Sequence, residues 1–201
     1  MYIHLFIEYY NNLSTRFTER LPVVSTINGF KNIFEHYKNG GETYKENLAG
    51  MTENNMSEEE VLSSLGYTGS WSSWINSDLR NGTKITEDAK DLFIAAENTS
   101  LDKVSSVDGN IVYRMDNPSG ATQKMLQWFS DRIDTVINVP YFLSTSKDDY
   151  KKTPIIWVIS TLKENSRGKD ILHISNNRYE KEVLFAPGSK SIINEVKDNH
   201  I

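Results

Sequence analysis

Apolar residues recur at helical spacing through the first part of the chain and at strand spacing through most of the rest. In MSEEEVLSSLGY, Ser57 stands three residues before Glu60, and Val61 and Leu62 follow. That is a capping box, which predicts a helix start. In YTGSWSSWINSDLRNG, residues Trp71, Trp74, Ile75 and Leu79 fall at helical spacing, and Asn81-Gly82 supplies a stop. The two tryptophans read as core rather than as stacking platforms. A third helix is expected in TEDAKDLFIAAENTS, where acidic residues in the first turn complement the helix dipole. A fourth is expected in TQKMLQWFSDRI.

Strand patterns follow. NIVYRM (110–115) is bounded by Asp108-Gly109 and Pro118, and YFLSTS (141–146) follows Pro140. PIIWVIST (154–161) is a continuous apolar run of the kind buried on both faces. RGKDILHIS carries a glycine turn and a short strand, and EVLFAPGSKSIINEV gives two strands around Pro187-Gly188. Helices ahead of strands, without regular βαβ alternation, predict an α+β fold.

Composition narrows the field. The chain has 201 residues, of which 38% are hydrophobic, enough for a sizeable core. Its net charge of -5 and pI near 5.4 argue against a phosphate-backbone binder. There are no cysteines, which excludes disulfides, zinc-thiolate sites and a cysteine nucleophile. His4, His36, His173 and His200 are scattered, without metal-ligand spacing, so no catalytic metal is expected. The start, MYIHLFIEYYNN, lacks the basic flank and cleavage site of a Sec signal peptide, and no run is long enough to span a membrane.

Four features could carry chemistry. Arg114 lies in a strand; it is either an edge arginine paired with an acid or a guanidinium fork for a phosphate. Ser144-Thr145-Ser146 ends a strand and is either ordinary strand-end polarity or a hydroxyl that orients a carboxylate. Glu180 and Glu182 are two apart, so an extended backbone would project both to one face. There they would repel, and one would resist ionisation. The plain alternative is a solvated strand end eased by Lys181. KENSRGKD (163–170) is a polar, glycine-containing loop, either a surface turn or a source of donors to a phosphate.

In this order, an arginine on a strand (VYR), a strand ending in FLSTS, and EKEVLFAPGSK resemble the Arg-Ser-Glu class of mono-ADP-ribosyltransferases. The similarity is greatest to arginine-modifying bacterial toxins and effectors. YTGSWSSWINSDLR and GKDILHIS fit the same pattern, and the resemblance runs from about Ser57 to Val196. One departure is Met115, where the family often has glycine after the arginine. The resemblance implies a split, two-sheet, mixed or antiparallel β core behind N-terminal helices. It divides the chain into a helical appendage over 1–55 and a compact catalytic domain over 56–201.

It also implies NAD as substrate, with no metal. Arg114, with Met115 beside it, would hold the NAD phosphates and nearby ribose. Ser144 would hydrogen-bond the catalytic Glu182, and Thr145 and Ser146 would support the nicotinamide pocket. Arg167 would contact the cofactor from the 163–169 loop. Glu180 would activate an incoming arginine, and Asn177 and Tyr179 would help select the target protein. The expected protein is a monomer, secreted or translocated by a bacterium, that modifies a target-protein arginine. Plain NAD hydrolysis, a non-arginine acceptor, a nucleic-acid acceptor and a degenerate binding module are the alternatives.

Overall fold

A computed structural model describes residues 2–9, 54–81, 88–149 and 152–197. These residues form two compact units. One contains 2–9, 106–149, 152–170 and 180–197; the other contains 54–81, 88–105 and 171–179.

The second unit is helical. Helices α1 (Glu58–Gly66) and α2 (Ser72–Asn81) are joined by a π-helical turn over Tyr67–Trp71, and α3 spans Asp88–Lys103. The capping box at the start of α1 is formed. Ser57 N–H donates to Glu60 Oε2 at 2.7 Å, and Glu60 N–H donates to Ser57 Oγ at 3.3 Å. Val61, Leu65, Tyr67, Ile75, Ile94 and Leu101 are buried. A polar core accompanies them: Ser64 Oγ donates to Glu97 Oε2 at 2.8 Å and lies 2.9 Å from Ser100 Oγ. The side chains of Trp71 and Trp74 fall outside the described ones. Thr68 Oγ1 donates to Ser64 O and accepts from Asn176 N–H, both at 2.8 Å.

The other unit is a sheet of eight strands. In chain order they are β1 (Tyr2–Tyr9), β2 (Ile111–Asp116), β3 (Val136–Val139), β4 (Leu143–Ser146), β5 (Ile155–Ser160), β6 (Gly168–Asp170), β7 (Glu182–Phe185) and β8 (Ser189–Lys197). Their spatial order is β3-β8-β1-β5-β2-β4-β7-β6. Only β1 and β5 run parallel; the other neighbours are antiparallel. The β2–β4 ladder has a single residue pair, Tyr113 with Ser146. The core is therefore two ladders of five and three strands meeting at one rung, the expected α+β arrangement with a split sheet.

Burial explains the register. Ile155 to Ile159 of β5 are all buried, as the unbroken apolar run predicts. Helix α4 (Thr122–Ser130) buries Leu126 and Phe129, and the Phe129 ring meets Trp157 edge-on at 4.8 Å. Every residue of β7 is buried. Gly168 in β6 has a packing reason: a Cβ there would lie 2.8 Å from Phe185 Cζ.

The structure differs from the sequence reading in two places. Tyr2–Tyr9 is a strand between β8 and β5, not part of a helical appendage. Residues 10–53 of the expected appendage lie outside the described residues. In RGKDILHIS the strand stops at Asp170, and Leu172–Ile174 is a turn of 3-10 helix. As expected, two strands, β7 and β8, flank Pro187-Gly188; they do not pair with each other. Gly188, at φ 87°, turns the chain from the three-stranded ladder to the far end of the five-stranded one.

Candidate active site

An open cleft lies at the β2–β4 joint, lined by Tyr113, Arg114, Met115, Ser144, Thr145, Ser146 and Glu180. Register brings all of these but Glu180 together. Tyr113 pairs with Ser146, and Ser146 pairs in turn with Glu182 of β7. Ser144 is the diagonal neighbour of Glu182 on the same face. Its Oγ donates to Glu182 Oε1 at 2.5 Å.

Arg114 is held from three sides. Its Nε–H donates to Asp116 Oδ2 at 3.2 Å, and Nη2 lies 3.0 Å from Asp116 Oδ1. Its Nη1–H donates to Ser144 O at 3.0 Å, across the joint. The guanidinium also lies 5.9 Å from the Trp157 ring centre, and Trp157 is its register partner on β5. A guanidinium has five N–H donors, so this clamp leaves donors for an anion in the cleft. Asp116 was missed by sequence reading, though R-x-D on a strand puts both side chains on one face.

Glu182 is 4% exposed. Burial pushes its carboxyl up to about 7. The Ser144 hydrogen bond and the Arg114 guanidinium pull it down, while Glu180 pushes it further up. Desolvation, not repulsion within the pair, is therefore the main cause. Nor does strand alternation bring the glutamates together. Glu180 ends a 3-10 turn (Arg178–Glu180), and Lys181 has a left-handed φ of 44°.

The perturbed carboxyl has a measurable consequence. Between its ordinary value of 4.5 and about 7, the folded protein holds a proton that the unfolded chain has lost. Stability contributed by this group is thus full below 4.5 and lost as pH rises to about 7. A shift of this size corresponds to roughly 3 kcal/mol. Glu182→Gln abolishes the titration. In urea unfolding, its stability relative to wild type should increase between about pH 5 and about pH 8. A constant difference across that range would contradict a buried carboxyl raised to about 7.

The other sequence candidates are placed as follows. Met115 lines the cleft. Thr145 lines it too, but its Oγ1 donates to Val183 O at 2.7 Å. Ser146 Oγ accepts from Asp148 N–H at 3.0 Å. Arg167 is half-buried in the loop before β6 and is not among the cleft-lining residues. In the helical unit, Asn177 N–H donates to Ser175 Oγ at 3.1 Å, and Tyr179 is 95% exposed. Among the described residues no group of three or more His, Asp or Glu could hold a metal ion, and no helix is long and apolar enough to cross a membrane.

A search of curated proteins finds no match. Solved structures do match. Plx2a, an ADP-ribosyltransferase toxin from Paenibacillus larvae, is 20% identical with a TM-score of 0.62, over 82% of this chain and 88% of that one. The type III effector XopAI from Xanthomonas axonopodis pv. citri is 14% identical with a TM-score of 0.67, over 93% of this chain and 89% of that one. Exoenzyme S from Pseudomonas aeruginosa, solved with human 14-3-3 protein beta and carba-NAD, is 18% identical with a TM-score of 0.61, over 85% and 83%. At these identities the similarity establishes the fold. The family follows from a sequence model, described as ADP-ribosyltransferase exoenzyme, that matches residues 40–200. With a cleft lined by an anchored arginine and by a serine bonded to a buried glutamate, the chain belongs to the ADP-ribosyltransferase exoenzyme family, whose members are NAD-dependent transferases.

Proposed function

We propose that this protein transfers ADP-ribose from NAD to an arginine side chain of a target protein, as a bacterial toxin or translocated effector. The observation that carries this reading is the presence of two differently placed carboxylates, one on the cleft wall and one buried behind the cleft-lining Ser144. Glu182 is buried and bonded to Ser144; Glu180 lines the cleft from a turn.

The chemistry requires two such groups. Breaking the nicotinamide–ribose bond leaves an oxocarbenium-like carbon, as in glycoside hydrolysis. Nicotinamide departs neutral and needs no acid. Ionised Glu182 stabilises the cationic centre, with Ser144 fixing its orientation. Arg114 meets the phosphates, and Met115, Thr145 and Ser146 form the wall beside it. The acceptor guanidinium is protonated at neutral pH and must lose a proton to attack. Glu180 positions it and receives that proton. Asn177 and exposed Tyr179, just ahead of Glu180, contact the target, and Arg167 reaches the cofactor from its loop. The protein acts as a monomer.

Incubation of the purified protein with labelled NAD and a cell lysate, followed by mass spectrometry, tests the reading. The expected result is ADP-ribose on arginine of one or a few proteins. Label on another residue would overturn the arginine assignment. Glu180→Gln separates the two steps. Protein labelling should fall about 10²–10⁴-fold, the usual scale for losing a general base. Nicotinamide release without acceptor should persist. Equal loss of both would refute the division of labour.

A further inference from the structure

We infer that Asp148 and Lys181 form a clasp that aims Glu180, and that this clasp sets what fraction of cleaved NAD reaches an acceptor rather than water. The inference rests on the assignment of Glu180 to the acceptor step.

Lys181 is the single residue between the two glutamates, and its φ of 44° is a conformation that a lysine rarely adopts. Such a backbone persists only where its surroundings hold it. Here the hold comes from the segment that follows β4. Lys147 N–H donates to Lys181 O at 3.2 Å. Lys181 Nζ lies 2.6 Å from Asp148 Oδ2. Asp148 is itself fixed, because its N–H donates to Ser146 Oγ at 3.0 Å. Lys147 Nζ, in turn, lies 2.5 Å from Asp170 Oδ2 on the neighbouring β6.

The direction of Glu180 relative to Glu182 depends on the torsions at Lys181. Glu182 does not need the clasp. Its place is set by the β4–β7 ladder, the Ser144 hydrogen bond and its own burial. Glu180 has no ladder; it ends the 3-10 turn ahead of Lys181. Loosening the clasp therefore frees the acceptor carboxylate and leaves the bond-breaking one in place. Both charged ends of the Asp148–Lys181 pair are about half exposed, at 52% and 51%. An exposed ion pair shifts an equilibrium by about fivefold at most, and salt weakens it.

The test measures transfer to lysate proteins and nicotinamide release without acceptor, each for the full chain. Asp148→Asn and Lys181→Gly should each lower the transfer-to-release ratio by about three- to fivefold. Release itself should stay at the wild-type level. Glycine tolerates the left-handed torsion, so its effect reports the lost ammonium rather than strain. The exchanged pair D148K/K181D should recover most of the ratio, and added salt should lower the wild-type ratio towards that of the single variants. An unchanged ratio in the single variants, a matching loss of release, or no recovery in the exchanged pair would overturn the clasp. A wild-type protein that releases nicotinamide but labels nothing would instead overturn the transferase reading beneath it.

Discussion

Replacing Glu182 with glutamine is expected to lower nicotinamide release and protein labelling together, by about 10²–10³-fold. Glutamine keeps the size of the side chain and an oxygen that accepts the Ser144 hydrogen bond. What it removes is the negative charge beside the developing cation. Because Glu182 is buried, the charge acts through little screening, so its loss is large. The same change should stabilise the protein at alkaline pH, because it removes a carboxyl that burial pushes up to about 7. Loss of activity together with greater stability distinguishes this outcome from misfolding. Nicotinamide release measured beside urea unfolding checks both. Retained release in the variant would exclude Glu182 as the group that stabilises the cation.

Arg114→Lys is expected to raise KM for NAD by about 10–100-fold and to lower stability. Arginine here spans two partners at once: the Asp116 carboxylate on its own strand and the Ser144 carbonyl across the joint. Lysine is a point charge on a flexible stem and cannot reproduce that fork. Hydrogen bonds to charged groups contribute about 1.5–3 kcal/mol each, so losing one explains a change of that size. Initial rates over a range of NAD concentrations give KM, and thermal unfolding gives the structural cost. Unchanged KM with a lowered melting temperature would make Arg114 a structural clamp alone.

How legible was this in the sequence? Helix α1 announced itself through Ser57 and Glu60, because a capping box is local and its partners are three residues apart. Strand β5 was legible because a strand buried on both faces needs an unbroken apolar run. The residues around the cleft were found through order: Arg114, Ser144 and Glu182 are far apart in the chain, and only register brings them together. Strand β1 was missed. Its partners are β5 and β8, more than a hundred residues away, and nothing local specifies that pairing. The left-handed Lys181 was invisible for a related reason. Lysine does not favour that conformation; contacts from Lys147 and Asp148 hold it there.

The single rung between β2 and β4 gives this sheet an inner margin as well as two outer ones. Outer margins invite neighbouring molecules and must be guarded. An inner margin is shielded from strand-on-strand association, yet its backbone polar groups still need partners. Arg114 already supplies one of them by capping the Ser144 carbonyl. A ligand seated between the ladders would stand where further rungs would otherwise be. Recognition by this fold thus draws on hydrogen-bonding capacity that a continuous sheet would have consumed in pairing with itself.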